Sequence, residues 1–289
     1  MQLGVGLPTA VPGCPPELLT AWARDADRGP FAALATLDRV VYETIEPMVA
    51  LAAAAAVTER IELLTCILIS PLRETSTLAK QVVSLHALAP GRLTIGMSIG
   101  ARGDDYDRSE FAKAGRGDRL TEQLAAMRSV LDEGAVSAPG HPGAPPVLVG
   151  GGAGSSFSRV AQLADGWIHN GSPPRVFERE VAEVRAAWAD AGRVGEPQIR
   201  SMAYYALGDA ATAGRDYLLD YYAFTGAFAP RIADGLLTSP LEIREYVQAY
   251  EDAGCDQLLL FPTVPVLEQL HALADLVGSS RSAQGGSHP

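Results

Sequence analysis

The residues best placed for chemistry form a bare run, Gly150-Gly151-Gly152-Ala153-Gly154-Ser155-Ser156. It lies between a short apolar stretch, Pro146–Val149, and a helix-forming stretch from Phe157 to Ala164. A strand, a turn without side chains and a helix N-terminus together make an anion site. Unpaired N–H groups point outward, the helix dipole favours negative charge, and glycine lets a ligand approach the backbone. Ser155 and Ser156 add hydroxyls at the helix start, where they either reach a phosphate or cap the helix with no ligand at all. The spacing departs from two phosphate-binding patterns. Ser155 stands where G-x-G-x-x-G has its third glycine, and no Gly-Lys-Ser/Thr follows. The loop is either a phosphate cradle or a tight turn that binds nothing.

Other candidates are single residues. His169, next to Asn170 and just after an apolar run, is the best placed of five histidines for proton transfer. The alternative is a loop histidine bonded to backbone. Asp38 and Arg39 either pair with each other on the surface or face a bound molecule. Asp104, Asp105 and Asp107 sit beside Arg102 and Arg108. With no further convergent ligand they read as a solvated loop rather than a metal site, and no metal is expected. The stretch from Tyr204 to Phe228 is rich in aromatics, and Tyr221–Pro230, broken by Gly226, is expected to form part of an apolar lid.

Bulk properties narrow the function class. A formal net charge of −11 with only two lysines, Lys80 and Lys113, argues against nucleic acid and against an anionic membrane surface. Cys14, Cys66 and Cys255 are odd in number and far apart, which reads as reduced and cytoplasmic. The first residues lack the basic region of a signal peptide, and the Ala/Val run at 50–57 is too short to span a bilayer.

The elements that must position these residues alternate. Strands are expected at Leu3–Leu7, Ala32–Leu37, Ile61–Ile69, Leu93–Ile99, Pro146–Val149, Gly166–His169, Arg200–Leu207 and Asp256–Phe261, each followed by a helix. The fourth of these helices is expected over Arg119–Glu133. Short apolar strands without clean alternation suit a parallel sheet covered on both faces. Eight βα units in 289 residues predict an α/β fold, a single-domain (β/α)8 TIM barrel. A doubly wound open sheet is the alternative, but its nucleotide loop would follow the first strand. The barrel is expected over residues 1–278, with a flexible tail at 279–289. Function then belongs at the C-terminal ends of the strands.

Five segments carry a resemblance. They are Leu3–Pro8; Glu59–Thr65 leading into Ile69–Arg73; Leu78–Gln81 with Leu88–Gly96 and Gly100; Arg119–Gln123; and the glycine loop closing at Leu163–Trp167. In order and spacing they resemble the bacterial luciferase-like flavin-dependent oxidoreductases, over nearly the whole chain. The resemblance implies FMN, or the deazaflavin coenzyme F420, in the barrel mouth. It implies a cofactor phosphate held by Gly151, Gly152, Ala153, Gly154, Ser155 and Ser156. Arg119 would be the phosphate-side arginine, unless it is merely solvated, with Gly100 and Arg102 after strand four as further contacts. It also implies a non-prolyl cis peptide bulge around Cys66, Ile67 and Leu68 against the tricyclic ring. Such a cofactor passes hydride to a substrate or reacts with oxygen, and the protein binds, orients and excludes water.

The implied partners are an apolar or aromatic small molecule, a separate flavin or F420 reductase, and a second copy, since dimers are common in the family. The end of strand two departs from the family: Thr36-Leu37-Asp38-Arg39 has neither the usual aromatic nor a histidine. A non-catalytic flavin-binding relative, or a barrel that binds a phosphorylated substrate at the glycine loop, therefore stays open.

Overall fold

The computed structural model describes residues 1–132, 136–140, 144–152 and 154–284. Ala153, His141 and His288 lie outside the described residues. Eight strands form a ring: β1 (Gln2–Gly6), β2 (Ala33–Thr36), β3 (Glu62–Ile69), β4 (Leu93–Ser98), β5 (Val147–Gly150), β6 (Gly166–Ile168), β7 (Gln198–Tyr205) and β8 (Gln257–Pro262). Each pairs in parallel with the next, and β8 pairs with β1 through Gln2↔Gln257 to Val5↔Leu260, so the barrel is closed. The open-sheet alternative is excluded.

The helices between them are α1 (Pro16–Arg28), α2 (Pro47–Ala55), α3 (Thr75–Leu88), α4 (Asp104–Asp107), α5 (Arg116–Asp132), α6 (Gly154–Leu163), α7 (Pro174–Asp190), α8 (Ala211–Tyr221), α9 (Ala229–Ala233), α10 (Pro240–Asp252) and α11 (Leu267–Gln284). The chain marks several starts chemically. Proline occupies the first turn of α1, α2, α7 and α10, where its missing N–H costs nothing. Ser239 and Glu242 close a capping box on α10. Helix α5 begins at Arg116, earlier than the expected Arg119. Helix α11 continues to Gln284, past the expected boundary at residue 278, so the first part of the expected tail is helical; residues 285–289 are not among those described.

Alternation along the strands, hard to see in the sequence, sorts the two barrel faces. Leu63, Ile95, Val147, Val149, Trp167, Leu258 and Leu260 join the layer beneath the helices. Leu64, Cys66, Leu148, Ile168, Met202, Leu259 and Phe261 form a separate cluster inside the ring. The N-terminal ends of the strands are plugged by a polar network. Arg200 pairs with Glu62 (2.9 Å), donates to Gln257 (2.8 Å) and to Gln198 (2.9 Å), and Thr94 donates to Glu62.

Strand β3 is irregular near its end. The Cys66–Ile67 peptide is cis, and the β3–β4 register shifts between Thr65 and Leu68. This is the bulge the resemblance implied. Its neighbours are glycine: a Cβ at Gly96 would fall 2.2 Å from the Thr65 carbonyl oxygen, fixed backbone, and one at Gly150 would fall 2.4 Å from Ile67 Cδ1, which would have to swing aside.

Candidate functional site

A cavity of about 480 Å3 opens at the C-terminal ends of the strands, within the usual range for small-molecule sites. Of the residues expected from sequence, Asp38, Arg39, Cys66, Ile67, Gly100, Arg102, Gly151 and His169 line it. Leu68 does not; the bulge turns it outward into the layer beneath the helices. Arg119, Gly152, Gly154, Ser155 and Ser156 are not part of its lining.

The bulge forms part of this lining. Burial pushes the Cys66 thiol up to about 12, so it offers a neutral, soft contact and no thiolate. At the β5 end, Gly151 takes φ +129°, and the Trp167 indole N–H donates to its carbonyl at 2.8 Å, fixing the loop. Ser156 is buried against Gly151, where a Cβ would meet its Oγ at 2.4 Å. Ser155 and Gly154 are exposed at the first turn of α6, and a Cβ on Gly154 would meet nothing within 4 Å. A bare, open helix start therefore remains for an anion.

Two basic groups stand near this end, Arg119 and Arg116, each with a buried Nε that has no hydrogen-bond partner, and of the two it is Arg116 that lines the cavity. Arg119 donates to the Ala112 and Ala114 carbonyls and lies over the Phe111 ring. Arg116, one turn earlier on α5, lines the cavity, and its buried Nε has no hydrogen-bond partner. The same helical phase relates the two, so placing the helix start three residues too late was enough to hide it.

His169 is almost wholly buried, between Trp167, Phe177 and Tyr250. Its Nδ1 accepts the Gly171 N–H at 3.2 Å and faces Ser201 Oγ at 3.1 Å. Nε2 has no hydrogen-bond partner and lies 3.6 Å from the carboxylate of Glu180 on α7. Burial pushes the imidazole down to about 4, so it is neutral at pH 7. Burial also raises the Glu180 carboxyl. Glu180 carried no mark in the sequence; only packing of α7 against α6 turns it inward.

Asp38 and Arg39 do not pair with each other. Asp38 accepts the Ile69 N–H (2.7 Å) and two N–H groups of Arg73 (2.6 and 3.1 Å), which pins the end of β3. Arg39 donates to Asp105 (2.7 Å) and Asp104 (2.9 Å), while its buried Nη1 is left without a partner. Asp105 is fully buried, which corrects the expectation of a solvated loop: the carboxylates after β4 hold Arg39 in place. Arg102 is packed between the rings of Tyr221 (4.3 Å) and Phe224 (4.1 Å) and donates to the Tyr221 carbonyl. Tyr204 and Tyr222 share a 2.9 Å hydroxyl contact beside them. The expected lid segment turns through Ala223–Phe228, with Gly226 at φ +58° and Phe224 and Phe228 half exposed.

The bare loop, the orphaned Arg116 Nε and the glycine-flanked bulge fit a flat cofactor carrying a terminal phosphate. Comparisons with known proteins place the fold and the family. The chain is 34% identical over 173 residues to an uncharacterized protein of Mycobacterium tuberculosis strain H37Rv, covering 54% of this chain and 60% of that protein. A second uncharacterized protein of the same strain is 32% identical over 168 residues, covering 54% and 58%. The matches thus span less than two thirds of these relatives. Among solved structures, monooxygenase RslO1 from Streptomyces bottropensis superimposes with a TM-score of 0.78 at 19% identity, covering 96% of this chain and 98% of that one. An F420-dependent secondary alcohol dehydrogenase in complex with an F420-acetone adduct gives 0.76 at 13%, covering 95% and 97%. The oxygenating constituent of 3,6-diketocamphane monooxygenase from Pseudomonas putida, in complex with FMN, gives 0.74 at 15%, covering 96% of each. At these identities the structures speak for the fold alone. The luciferase-like monooxygenase family model matches residues 1–260. The chain belongs to the luciferase-like monooxygenase family.

Proposed function

We propose that the protein is an oxidoreductase that uses reduced FMN on an apolar or aromatic small molecule. The observation that carries this reading is one cavity joining three parts: the cis bulge of β3, Gly151 at the end of β5, which leads to the exposed start of α6, and an aromatic wall of Tyr204 on β7 with Tyr221, Tyr222 and Phe224 after it. When bound, the cofactor supplies hydride or reacts with oxygen. The chain's residues do the rest. Backbone N–H groups of Gly151, Gly152, Gly154, Ser155 and Ser156, together with Arg116, would hold the phosphate. Ile67 supports the ring. Tyr204, Tyr221, Tyr222 and Phe224 enclose an apolar substrate and keep water out. Arg39 Nη1 is an unmet donor for an oxygen atom of substrate or cofactor, and His169 lines the same cavity. Neutral at pH 7, His169 holds its proton at Nε2, on the side of Glu180. A separate reductase, a homodimer and a cytoplasmic setting belong to the same reading.

One feature favours F420 as a second cofactor reading. Lys113, Arg116, Arg119 and Arg159 gather around the start of α5, where Arg159 donates to Gly117 and Arg116 to Lys113. Such a group would suit acidic substituents extending beyond the phosphate, which FMN lacks. Fluorescence titration of the apoprotein with oxidised and reduced FMN and with F420 tests both readings. FMN binding, with oxygen consumed on addition of an aromatic ketone panel, supports the first. Binding of F420 alone supports the second. Binding with no turnover across the panel supports a flavin-storage protein, and binding of neither removes the reading.

A further inference from the structure

The glycine loop contains a contact that an anion site would not be expected to tolerate. Both carboxylate oxygens of Glu180 lie 3.2 Å from the point that a Cβ on Gly152 would occupy, so the carboxylate rests on the loop backbone. On its other side, Oε2 is 3.6 Å from His169 Nε2. Because His169 Nδ1 accepts a backbone N–H, the proton of the neutral ring sits on Nε2 and points toward Glu180.

The charges around this pair are few. On α7, Arg179 approaches Glu180 at 3.8 Å but is largely exposed and also reaches Glu183 at 3.8 Å. From α10, Tyr250 faces His169 Nδ1 at 3.5 Å and donates to the Ser172 carbonyl. From α6, Arg159 turns away to Thr121 and Gly117 on α5. From β7, Ser201 is neutral. Among the described residues, nothing buried neutralises Glu180.

We infer that an anion seated on the glycine loop brings one proton with it, held by the His169–Glu180 pair. This rests on the loop being the phosphate site of the proposed function. A phosphate dianion placed against the other side of the Gly152 backbone from solvent adds like charge to a carboxylate that has no buried partner. Like charge disfavours the ionised form. A proton from solvent therefore adds to the pair, and with two groups this close it belongs to both. No bond to carbon or phosphorus changes and no electron moves. Linkage fixes the sign: if the bound state carries one more proton than the free state, affinity falls as pH rises. The limit is tenfold per pH unit while the pair titrates. A phosphate monoester loses its own second proton near pH 6, so the range above pH 7 isolates the protein's contribution.

The test is isothermal calorimetry of FMN onto the wild-type apoprotein at pH 7.5, in two buffers of different ionisation enthalpy, with Kd followed from pH 7 to 9. If F420 is the cofactor held, it replaces FMN, its phosphate-free deazaflavin riboside serves as the control, and its singly charged phosphodiester should draw a smaller fraction of a proton. The expected result is uptake of about one proton and a Kd that rises with pH toward the tenfold-per-unit limit. Glu180→Gln should bind with no uptake and a flat Kd. Riboflavin, which lacks the phosphate, should bind wild type with no uptake, a control that needs no variant to fold. Equal uptake for FMN and riboflavin, or for wild type and E180Q, overturns the coupling and leaves the cofactor reading intact. Failure of FMN and F420 to bind either protein at any pH removes the cofactor reading itself.

Discussion

The two ends of the barrel handle buried polar groups in opposite ways. At the N-terminal end, Arg200, Glu62, Gln257, Gln198 and Thr94 satisfy one another across β3, β4, β7 and β8. At the C-terminal end, Arg39 Nη1, Arg116 Nε and His169 Nε2 are buried on the cavity side of the molecule with nothing to bond. An unmet buried donor costs stability, so a fold tolerates it where a ligand will complete it. The difference separates a plug that holds the ring together from a mouth that holds capacity in reserve.

The largest effect should come from breaking the plug. Arg200→Leu leaves Glu62 without its partner and is expected to cost roughly 3–5 kcal/mol in urea unfolding, while FMN affinity of the folded fraction stays unchanged. An equal loss of affinity would erase the contrast between the ends. At the mouth, His169 makes the sign opposite. Its folded value of about 4 lies below the usual 6.5, so the neutral ring contributes stability fully above pH 6.5. That contribution is lost as pH falls toward 4, about 3 kcal/mol in all. His169→Leu should flatten this acid limb and cost about 1 kcal/mol at pH 7, because it takes the Nδ1 acceptor away from the Gly171 N–H. A steep acid limb in H169L would assign the loss elsewhere.

Gly151→Val comes next. It forces a side chain into φ +129° and against Ser156, with an expected cost of about 1–3 kcal/mol and at least a tenfold loss of FMN affinity, read by fluorescence. The smallest effect should follow Arg102→Met, which removes the guanidinium between Tyr221 and Phe224. The stacking is worth about 0.5–2 kcal/mol, so proteolysis within Ala223–Pro230 should quicken while global unfolding barely moves. If bound FMN then fails to slow that cleavage, the segment is no lid.

The ring of strands was legible because each strand is a short apolar run bounded by turn residues, and because eight such units leave few topologies. The glycine loop and His169 were legible because strand ends mark the mouth of any such barrel; the bulge at Cys66–Ile67 came only from the family resemblance, since Ile67, Leu68 and Ile69 are apolar with or without it. The pairings were not. Asp38 meets Arg73, and Arg39 meets Asp105, which lies 66 residues away; nothing local distinguishes those partners from Asp38 and Arg39 meeting each other. Arg116 was hidden by a helix start placed one turn late. Glu180 was hidden because a carboxylate on an amphipathic helix looks the same whether it faces water or a loop. Charge partners are set by tertiary packing, and packing has no period that can be read along a chain.

Closure of the ring has a consequence for how the protein is made. Strand β1 leaves the ribosome first, yet one of its two edges waits for β8, whose Gln257 must find Gln2 across 255 residues. Until then both outer strands present unpaired backbone to solvent. Nascent chains stalled before Gln257 should therefore be the form that chaperones hold and that aggregates when they are scarce.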